Sequence, residues 1–248
     1  MKPVLAVNSG LSQHNVLASI GNGRQQCYGY CKVGRIIFVR PFFVLPALGV
    51  EISHSAFNDA PRVTETTLGI RGDPINVGLI GTKEELITAM VAAKWQPADP
   101  ITFLSAVKIV ASVVLHRPYE TAPVSNLYLW KRKEDMAFEQ EAGKDASRRH
   151  HVRFWKSMKR VNGRPLWLGA VTFDKNIGFS STTGLITHHI AANIDADRDK
   201  LMNDLTAAGW LSSTDGIEGF QRKHNGRNGG GDPYRTDGKL SLGILKGR

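Results

Sequence analysis

The dipeptide Asn162-Gly163 constrains the fold more than any other feature of this chain. It is the preferred centre of a two-residue turn between antiparallel strands, and runs of alternating apolar and polar character flank it on both sides. A turn this short also fixes which residues face each other across the two strands. The sequence therefore predicts a central β-hairpin in which Val161 faces Arg164 and, counting outward, His151 faces Asp174.

This register sorts the hairpin side chains into an apolar face and a polar face, because neighbouring residues of a strand point to opposite sides. The predicted core face holds Val152, Phe154, Trp167, Val171 and Phe173, and the predicted polar face holds His151, Arg153, Thr172 and Asp174. A carboxylate across from an imidazole fixes its tautomer in many acid–base and metal centres. A cross-strand ion pair on a solvated face is the alternative, and the hairpin by itself favours that alternative.

The composition points to a folded, basic protein. A length of 248 residues suits one large domain, or one domain plus an extension, and 42% hydrophobic residues suffice for a core. A net charge of +10 favours anionic partners, but the basic residues are dispersed and no zinc-finger, helix-turn-helix or RNA-recognition pattern accompanies them. Nucleic-acid binding is therefore not favoured. Cys27 and Cys31 have the spacing of neither a zinc site nor a thioredoxin-type pair.

Residues 1–61 are predicted to be a poorly structured N-terminal extension that contains a short apolar segment at residues 36–50. This segment is shorter than the 20 or so apolar residues of a membrane-spanning helix, and it starts too far from Met1 for a secretory signal. A buried strand with a loop and a shallow membrane anchor both remain open. Residues 62–248 are predicted to form the folded domain.

Two helix signals and an internal similarity complete the fold prediction. Thr82 and Glu85 form a capping box that starts a helix at Lys83, and residues 101–116 fit a second, buried helix. The segment ending at Trp95 resembles the segment ending at Trp210, which predicts two related strand–helix units. The fold prediction is an α+β domain with a mixed or antiparallel sheet, two repeated strand–helix units and a central β-hairpin.

The internal similarity also assigns roles to three acidic and histidine positions. It places Asp197 opposite Thr82, as the N-cap of the second helix, and it places Asp195 on a strand where it shares a face with His189. The glycine-rich tail, residues 224–248, is predicted to be a surface loop or a lid over the polar face of the hairpin, followed by a strand at residues 240–245.

Several blocks of sequence resemble one family. They are Asp73-Pro-Ile-Asn-Val77, Ala92-Ala-Lys-Trp95, Arg117 to Tyr128, His151-Val-Arg-Phe-Trp155, Asp195-Ala-Asp-Arg-Asp199 and Gly231 to Gly238. From Arg62 to the C-terminus the chain resembles the LssY C-terminal domain family. The resemblance implies a context rather than a reaction: in some bacterial proteins this domain is similar to an appendage of membrane-embedded lipid phosphatases. It implies a location at the membrane or cell envelope, with the cytoplasm as the alternative.

Two functions of different classes follow. The first is an accessory module of the bacterial envelope that binds an anionic small molecule or a phospholipid headgroup. Its candidate ligand-binding residues are Arg148, Arg149, Arg153, Arg198, Asp232, Tyr234 and Asp237. The second is a hydrolase of a phosphate ester with His151, Asp174 and His188 as catalytic candidates. Its cofactor would be a divalent metal, with Zn²⁺ or Mn²⁺ preferred, held by His151, Asp174, His189 and Asp195.

Overall fold

The computed structural model of the chain describes residues 19–21, 24–33, 36–43, 54–98, 104, 126–143, 148–184 and 186–247. The chain divides into two compact units, residues 1–50 and residues 51–248. The first unit contains an antiparallel sheet of β1 (Ser19–Gly21), β2 (Arg24–Val33) and β3 (Ile36–Phe43). Most of the apolar segment thus forms a strand, and residues 44–50 lie outside the described residues. Within the described part of the chain, no helix has the length and apolar character needed to cross a membrane.

The second unit is built mainly from strands. They are β4 (Val63–Thr66), β5 (Arg71–Pro74), β6 (Val77–Ile80), β7 (Gln96–Pro97), β8 (Leu127–Leu129), β9 (Arg132–Lys133), β10 (Met136–Glu141), β11 (Arg149–Val161), β12 (Arg164–Phe179), β13 (Ile186–Ile190), β14 (Leu211–Ile217), β15 (Asn225–Arg227), β16 (Pro233–Arg235) and β17 (Leu240–Leu245). The helices whose bounds lie within the described residues are α1 (Lys83–Ala92) and α2 (Ile194–Ala207), with a short 3-10 helix at His54–Phe57.

An eight-stranded sheet forms the centre of this unit, in the order β14-β17-β6-β12-β11-β10-β7, with β13 paired to β12. All the described pairs in it are antiparallel except β17 with β6, which is parallel. A four-stranded sheet has the order β5-β4-β8-β9, and β15 pairs with β16 in a separate hairpin. The tail strand predicted at residues 240–245 is therefore part of the central sheet.

The predicted α+β fold with two repeated strand–helix units is wrong, because the second unit is mostly β-sheet and its two strand–helix segments differ. Strand β6 lies inside the central sheet between β17 and β12, whereas β13 pairs with the outer end of β12. The two segments instead resemble each other in the way their helices end. Lys94 and Gly209 both have positive φ, 65° and 74°, and the tryptophan after each donates its N–H to a carbonyl of the last helical turn.

The first helix begins as predicted, but the second does not. The Thr82 hydroxyl accepts from Glu85 N–H while the Glu85 carboxylate accepts from Thr82 N–H, which confirms the capping box and the start at Lys83. Helix α2 is capped at Asn193, so Asp197 is not the N-cap, and Asp195 lies in the first helical turn rather than on a strand. The helix predicted at residues 101–116 falls outside the described residues, apart from Leu104, which is helical.

The hairpin forms at the predicted turn, with Asn162 and Gly163 both at positive φ and Val161 opposite Arg164. The register then shifts at a bulge between Lys156 and Arg160, where residues 157–159 of β11 stand against a single residue of β12. The predicted pairing of His151 with Asp174 is therefore wrong. His151 faces Thr172, and Asp174 faces Arg149.

The shift of two residues leaves the predicted faces intact, because side chains alternate with a period of two. Phe154, Trp167 and Val171 are buried against α1 and α2, which confirms the core face, while Phe173 is only partly buried. The opposite face is covered as well. Near the turn, the apolar side chains of this opposite face pack in a second apolar cluster. Farther from the turn, the same face holds four polar side chains that are also buried: His151, Arg153, Thr172 and Asp174. The expectation of a solvated polar face is therefore wrong.

Candidate functional site

A pocket of about 600 Å³ opens at the polar end of the β11–β12 hairpin. Its charged and polar lining comes from distant parts of the chain and comprises Asp73, Arg153, Thr172, Asp174, His188 and Asn228. Hydroxyl side chains and backbone complete the lining, with Thr66, Thr67, Ser180, Thr183, Thr187, Gly229 and Gly230, and an apolar part includes Leu68, Leu127 and Ile190. Its size is that of a site for a small organic molecule.

Arg149 links three ionisable groups beside this pocket. Its guanidinium lies 2.8 Å from Glu139 Oε2 on β10 and donates from Nε to Asp174 Oδ2 on β12 over 3.4 Å. Its NH2 atom lies 3.2 Å from Nε2 of His188 on β13. Four adjacent strands therefore contribute one buried ionic network, because their register brings these residues to the same end of the sheet.

Arg153 has fewer described partners than Arg149, although it is just as deeply buried. Its side chain is part of the pocket lining, the residue is 6% exposed, and its NH1 atom lies 3.6 Å from Asp73 Oδ2. Its Nε atom is buried and has no hydrogen-bond partner within the described part of the chain. Asn228 holds the other oxygen of that carboxylate, donating from Nδ2 to Asp73 Oδ1 over 3.2 Å.

Burial shifts the pKa values of the carboxyl groups upward. It raises the pKa of Asp174 to about 6, against the opposing effect of Arg149 and Arg153. It also raises the pKa of Asp73, opposed by Arg153 and by the hydrogen bond from Asn228. These carboxyl groups therefore hold their protons to a higher pH than free aspartate does.

Burial shifts the pKa values of the two imidazoles downward. The pKa of His188 falls to about 4 through burial and the nearby Arg149 and Arg153. The pKa of His151 falls well below its usual range, first through burial and then through the same two arginines. Both rings are therefore neutral at pH 7, and the arginines carry the positive charge.

The structure does not bring the four predicted metal ligands together. His189 points to the tail, with Nδ1 2.7 Å from Asp232 Oδ1, because it alternates with His188 along β13. Asp195 lies in the first turn of α2 and accepts from Thr236 Oγ1 and Arg198 NH1 at 2.8 and 3.2 Å. Across the described ranges, no three or more His, Cys, Asp or Glu side chains are grouped so that they could hold a metal ion.

The predicted catalytic candidates do gather at one end of the sheet, but only two of them line the pocket. Asp174 and His188 are lining residues, and His188 Nδ1 is buried without a hydrogen bond, 3.5 Å from Asp174 Oδ2. His151 is buried in β11 between Arg149 and Arg153 and is not among the described residues that line the pocket.

The other predicted ligand-binding residues have different surroundings. Arg198 is enclosed by the carboxylates of Asp195, Asp199 and Asp237, so it fastens α2 to the tail. Tyr234 packs in a small cluster with Ile190 and Ile194. Asp232 accepts from the Ile190 N–H through Oδ2 and thereby anchors the tail to β13. Arg148 is exposed, with its guanidinium 5.8 Å from the centre of the Phe173 ring. Of the four predicted arginines, only Arg153 lines the pocket.

Three site residues were not predicted from the sequence. Glu139 lies in a charged segment without a motif, and Asp73 lies in a block that had been noted only for its family resemblance. Asn228 belongs to the glycine-rich tail, where its Oδ1 atom accepts from the N–H groups of Gly230 and Asp232 at 3.1 and 2.9 Å. The tail thus borders the polar face of the hairpin, the position that the lid hypothesis gives it.

Comparison with known proteins identifies the family of the chain. The family model described as LssY C-terminus matches residues 57–240, which is more than half of the chain. The chain therefore belongs to the LssY C-terminus family. Searches of curated proteins and of solved structures gave no significant match.

Proposed function

We propose that this member of the LssY C-terminus family binds an anionic group in the pocket lined by Arg153 and His188. One observation carries the proposal: among the residues that the structure describes, the buried Arg153 guanidinium has a single ionic partner, at 3.6 Å, and its buried Nε atom has no hydrogen bond. A buried cation with incomplete hydrogen bonding is costly to the folded protein. A phosphate or carboxylate oxygen would supply acceptors for a charge-assisted hydrogen bond.

The acidic groups in the pocket are compatible with an anion when they carry protons. The pKa of about 6 lets the Asp174 carboxyl retain its proton in weakly acidic solution, and burial raises the pKa of Asp73 in the same direction. A protonated carboxyl donates a hydrogen bond and no longer repels an anion. Binding should therefore be accompanied by proton uptake, and we expect it to be tighter in acid.

The rest of the pocket favours a ligand larger than an inorganic anion. The lining residues Thr67 and Thr187 carry hydroxyls that can bond to polar groups, and the Leu68 side chain offers apolar contact. A phosphorylated small molecule or a phospholipid headgroup has this combination of an anionic end and a hydroxylated or apolar remainder.

A phosphate-ester hydrolase is the second candidate. The observation that favours it is the pair of Asp174 and neutral His188 in the same pocket as Arg153, which could transfer protons beside a bound phosphate. Since His151 does not line the pocket and the predicted metal ligands are apart, the geometry supports binding better than metal-dependent hydrolysis.

Calorimetric titration with sulfate and with glycerol phosphate tests the binding proposal. We expect saturable binding to the full chain that is lost in Arg153→Met, a variant that keeps an apolar side chain of similar length. Arg148→Met is the matched control, because it removes an exposed arginine that does not line the pocket. Equal affinity in the two variants would refute the proposal.

Hydrolysis is tested separately with p-nitrophenyl phosphate. Turnover that disappears in both Arg153→Met and His188→Ala would favour the hydrolase. Binding without turnover would favour the accessory module.

An envelope location is the remaining part of the proposal. The apolar side chains of β3 and the family context motivate it. Fractionation of cells expressing the full chain, with and without residues 1–50, tests whether that unit determines the location.

A further inference from the structure

A second surface of the domain combines exposed apolar side chains with basic ones, and the turn between β8 and β9 is its first part. Leu129 pairs with Arg132, so Trp130 and Lys131 form a two-residue turn, with φ angles of 53° and 61°. Such turns favour Asn-Gly, because positive φ costs other L-residues about 1–2 kcal/mol each. Despite that cost the turn carries a tryptophan that is 41% exposed. Local strain of this kind is a common mark of a functional position.

The bulge in β11 is the second part of the surface. Met158 lies at its centre and is 100% exposed, which is unusual for a large apolar side chain in an ordered strand. Exposed basic side chains flank it at Lys156, Lys159 and Arg160. The bulge thus presents an apolar side chain surrounded by positive charge.

Hydrogen bonds hold the turn and the bulge side by side. The Arg132 guanidinium donates to the Lys156 carbonyl, and the Asp135 carboxylate accepts from the Lys156 N–H over 2.7 Å. The same carboxylate pairs with Arg132 at 2.6 Å, so these two opposite charges satisfy each other within the surface. We name this surface the basic tip; it consists of Trp130, Lys131, Lys133, Lys156, Met158, Lys159 and Arg160.

The charge of the basic tip is largely uncompensated. Five of its side chains are cationic. Among the described residues, their ionic partners are Asp59, which lies 3.3 Å from Lys159, and the mostly buried Glu134, 3.8 Å from Lys133. The tip is therefore complementary to a negatively charged partner. Its exposed tryptophan and methionine require that this partner also offer an apolar region.

We infer that the basic tip docks the domain onto an anionic membrane surface. Lysine and arginine side chains are attracted by acidic headgroups, and the attraction is about five-fold in affinity for each cation near the surface. Tryptophan is stabilised at the boundary between headgroups and acyl chains, and an exposed methionine can enter the same layer. Trp130 lies in a turn and Met158 lies in a bulge. Exposed side chains at such positions can insert into the interfacial layer of a membrane.

Burial argues against single-stranded nucleic acid as the partner. Such partners need several aromatic rings on which successive bases stack. Trp155, which lies between the basic residues Arg153 and Lys156 in the sequence, is fully buried. The basic tip then offers one exposed tryptophan, and the methionine beside it has no role in stacking bases.

Flotation of the full chain with lipid vesicles tests the inference. We expect the chain to float with phosphatidylcholine vesicles that contain phosphatidylglycerol, not with pure phosphatidylcholine, and to dissociate in high salt. Lys131→Glu with Lys156→Glu should lower the partition coefficient by more than about tenfold. Lys223→Glu with Lys246→Glu is the matched control, because it changes the net charge equally at exposed positions outside the tip. Equal binding of the two double variants would overturn the inference.

Further variants separate the contributions and the alternatives. Met158→Ser, at a fully exposed position, should weaken partitioning several-fold without changing the circular dichroism spectrum. The Lys131→Glu, Lys156→Glu double variant should bind sulfate like the wild type, which separates this surface from the proposed pocket, because neither residue lines the pocket. Stronger binding to a single-stranded oligonucleotide than to anionic vesicles, lost in the tip double variant, would assign the surface to nucleic acid and overturn the membrane inference.

Discussion

Arg149 lies directly opposite Asp174 across β11 and β12, and its Nε atom donates to Asp174 Oδ2 over 3.4 Å. Despite this partner, burial raises the pKa of the Asp174 carboxyl from 3.8 to about 6. Between these two pH values the folded protein holds a proton at this position that the unfolded chain has released. The contribution of Asp174 to stability is therefore present at low pH and is lost as the pH rises through 6.

Replacing this carboxyl with an amide should remove that pH dependence. Relative to the wild type, Asp174→Asn should gain on the order of 3 kcal/mol in free energy of unfolding between pH 4 and pH 7, since one pKa unit corresponds to about 1.4 kcal/mol. Urea denaturation at both pH values measures this difference. The depressed pKa of His188 acts in the opposite direction, but His188 is common to both proteins, so its contribution cancels in the difference. Parallel stability curves for the two proteins would contradict the prediction.

The affinity for an anion should follow the same titration and in the same direction, greater at low pH. Sulfate is the suitable probe, because its own charge is constant across the range. Its dissociation constant should fall as the pH drops from about 7 to about 5, since protonated Asp174 no longer repels it. Asp174→Asn should bind sulfate with the tighter, low-pH affinity throughout. A pH dependence that persists in this variant would show that another group is responsible.

The hairpin shows what could be predicted from the sequence and what could not. The turn was predictable because Asn162-Gly163 determines it locally. The bulge was not, because the residues between Lys156 and Arg160 have no glycine or proline to mark it. The faces were still correct, since a shift of two residues restores the alternation, but the partner of Asp174 changed from His151 to Arg149.

Burial of the polar face depends on residues far away in the sequence. Phe57, Leu127 and Phe220 cover its inner half, and Asp73 and Asn228 reach its outer half. No spacing rule connects these positions, because tertiary contacts alone bring them together. Arg153 and Asp174 of the hairpin could thus be placed on one face from the sequence, while Asp73 and Asn228, which line the same pocket, could not.

The two faces of the hairpin predict a sharp contrast in mutational cost. Phe154→Ala should lower the free energy of unfolding by about 3–5 kcal/mol, because the ring is fully buried between the sheet and the helices. Met158→Ala, in the same strand, should change it by less than about 0.5 kcal/mol, because that side chain is fully exposed. Chemical denaturation of both variants measures the contrast. Similar losses would mean that the bulge is packed rather than exposed.

The matched ends of the two helices yield a stabilising substitution. Lys94 and Gly209 occupy the same position after their helices, both with positive φ, but only glycine adopts this conformation without cost. Lys94→Gly should therefore raise the free energy of unfolding by about 0.5–1 kcal/mol, the relief of strain being partly offset by the greater freedom of glycine in the unfolded chain. Gly209→Lys is the reciprocal change and should lower it by about 1 kcal/mol. No atom lies within 4 Å of a side chain begun at Gly209, so its cost would be conformational rather than steric. Thermal and urea denaturation of the two variants measures these changes in stability. A loss of stability in Lys94→Gly would mean that the lysine side chain contributes more to stability than its backbone conformation costs.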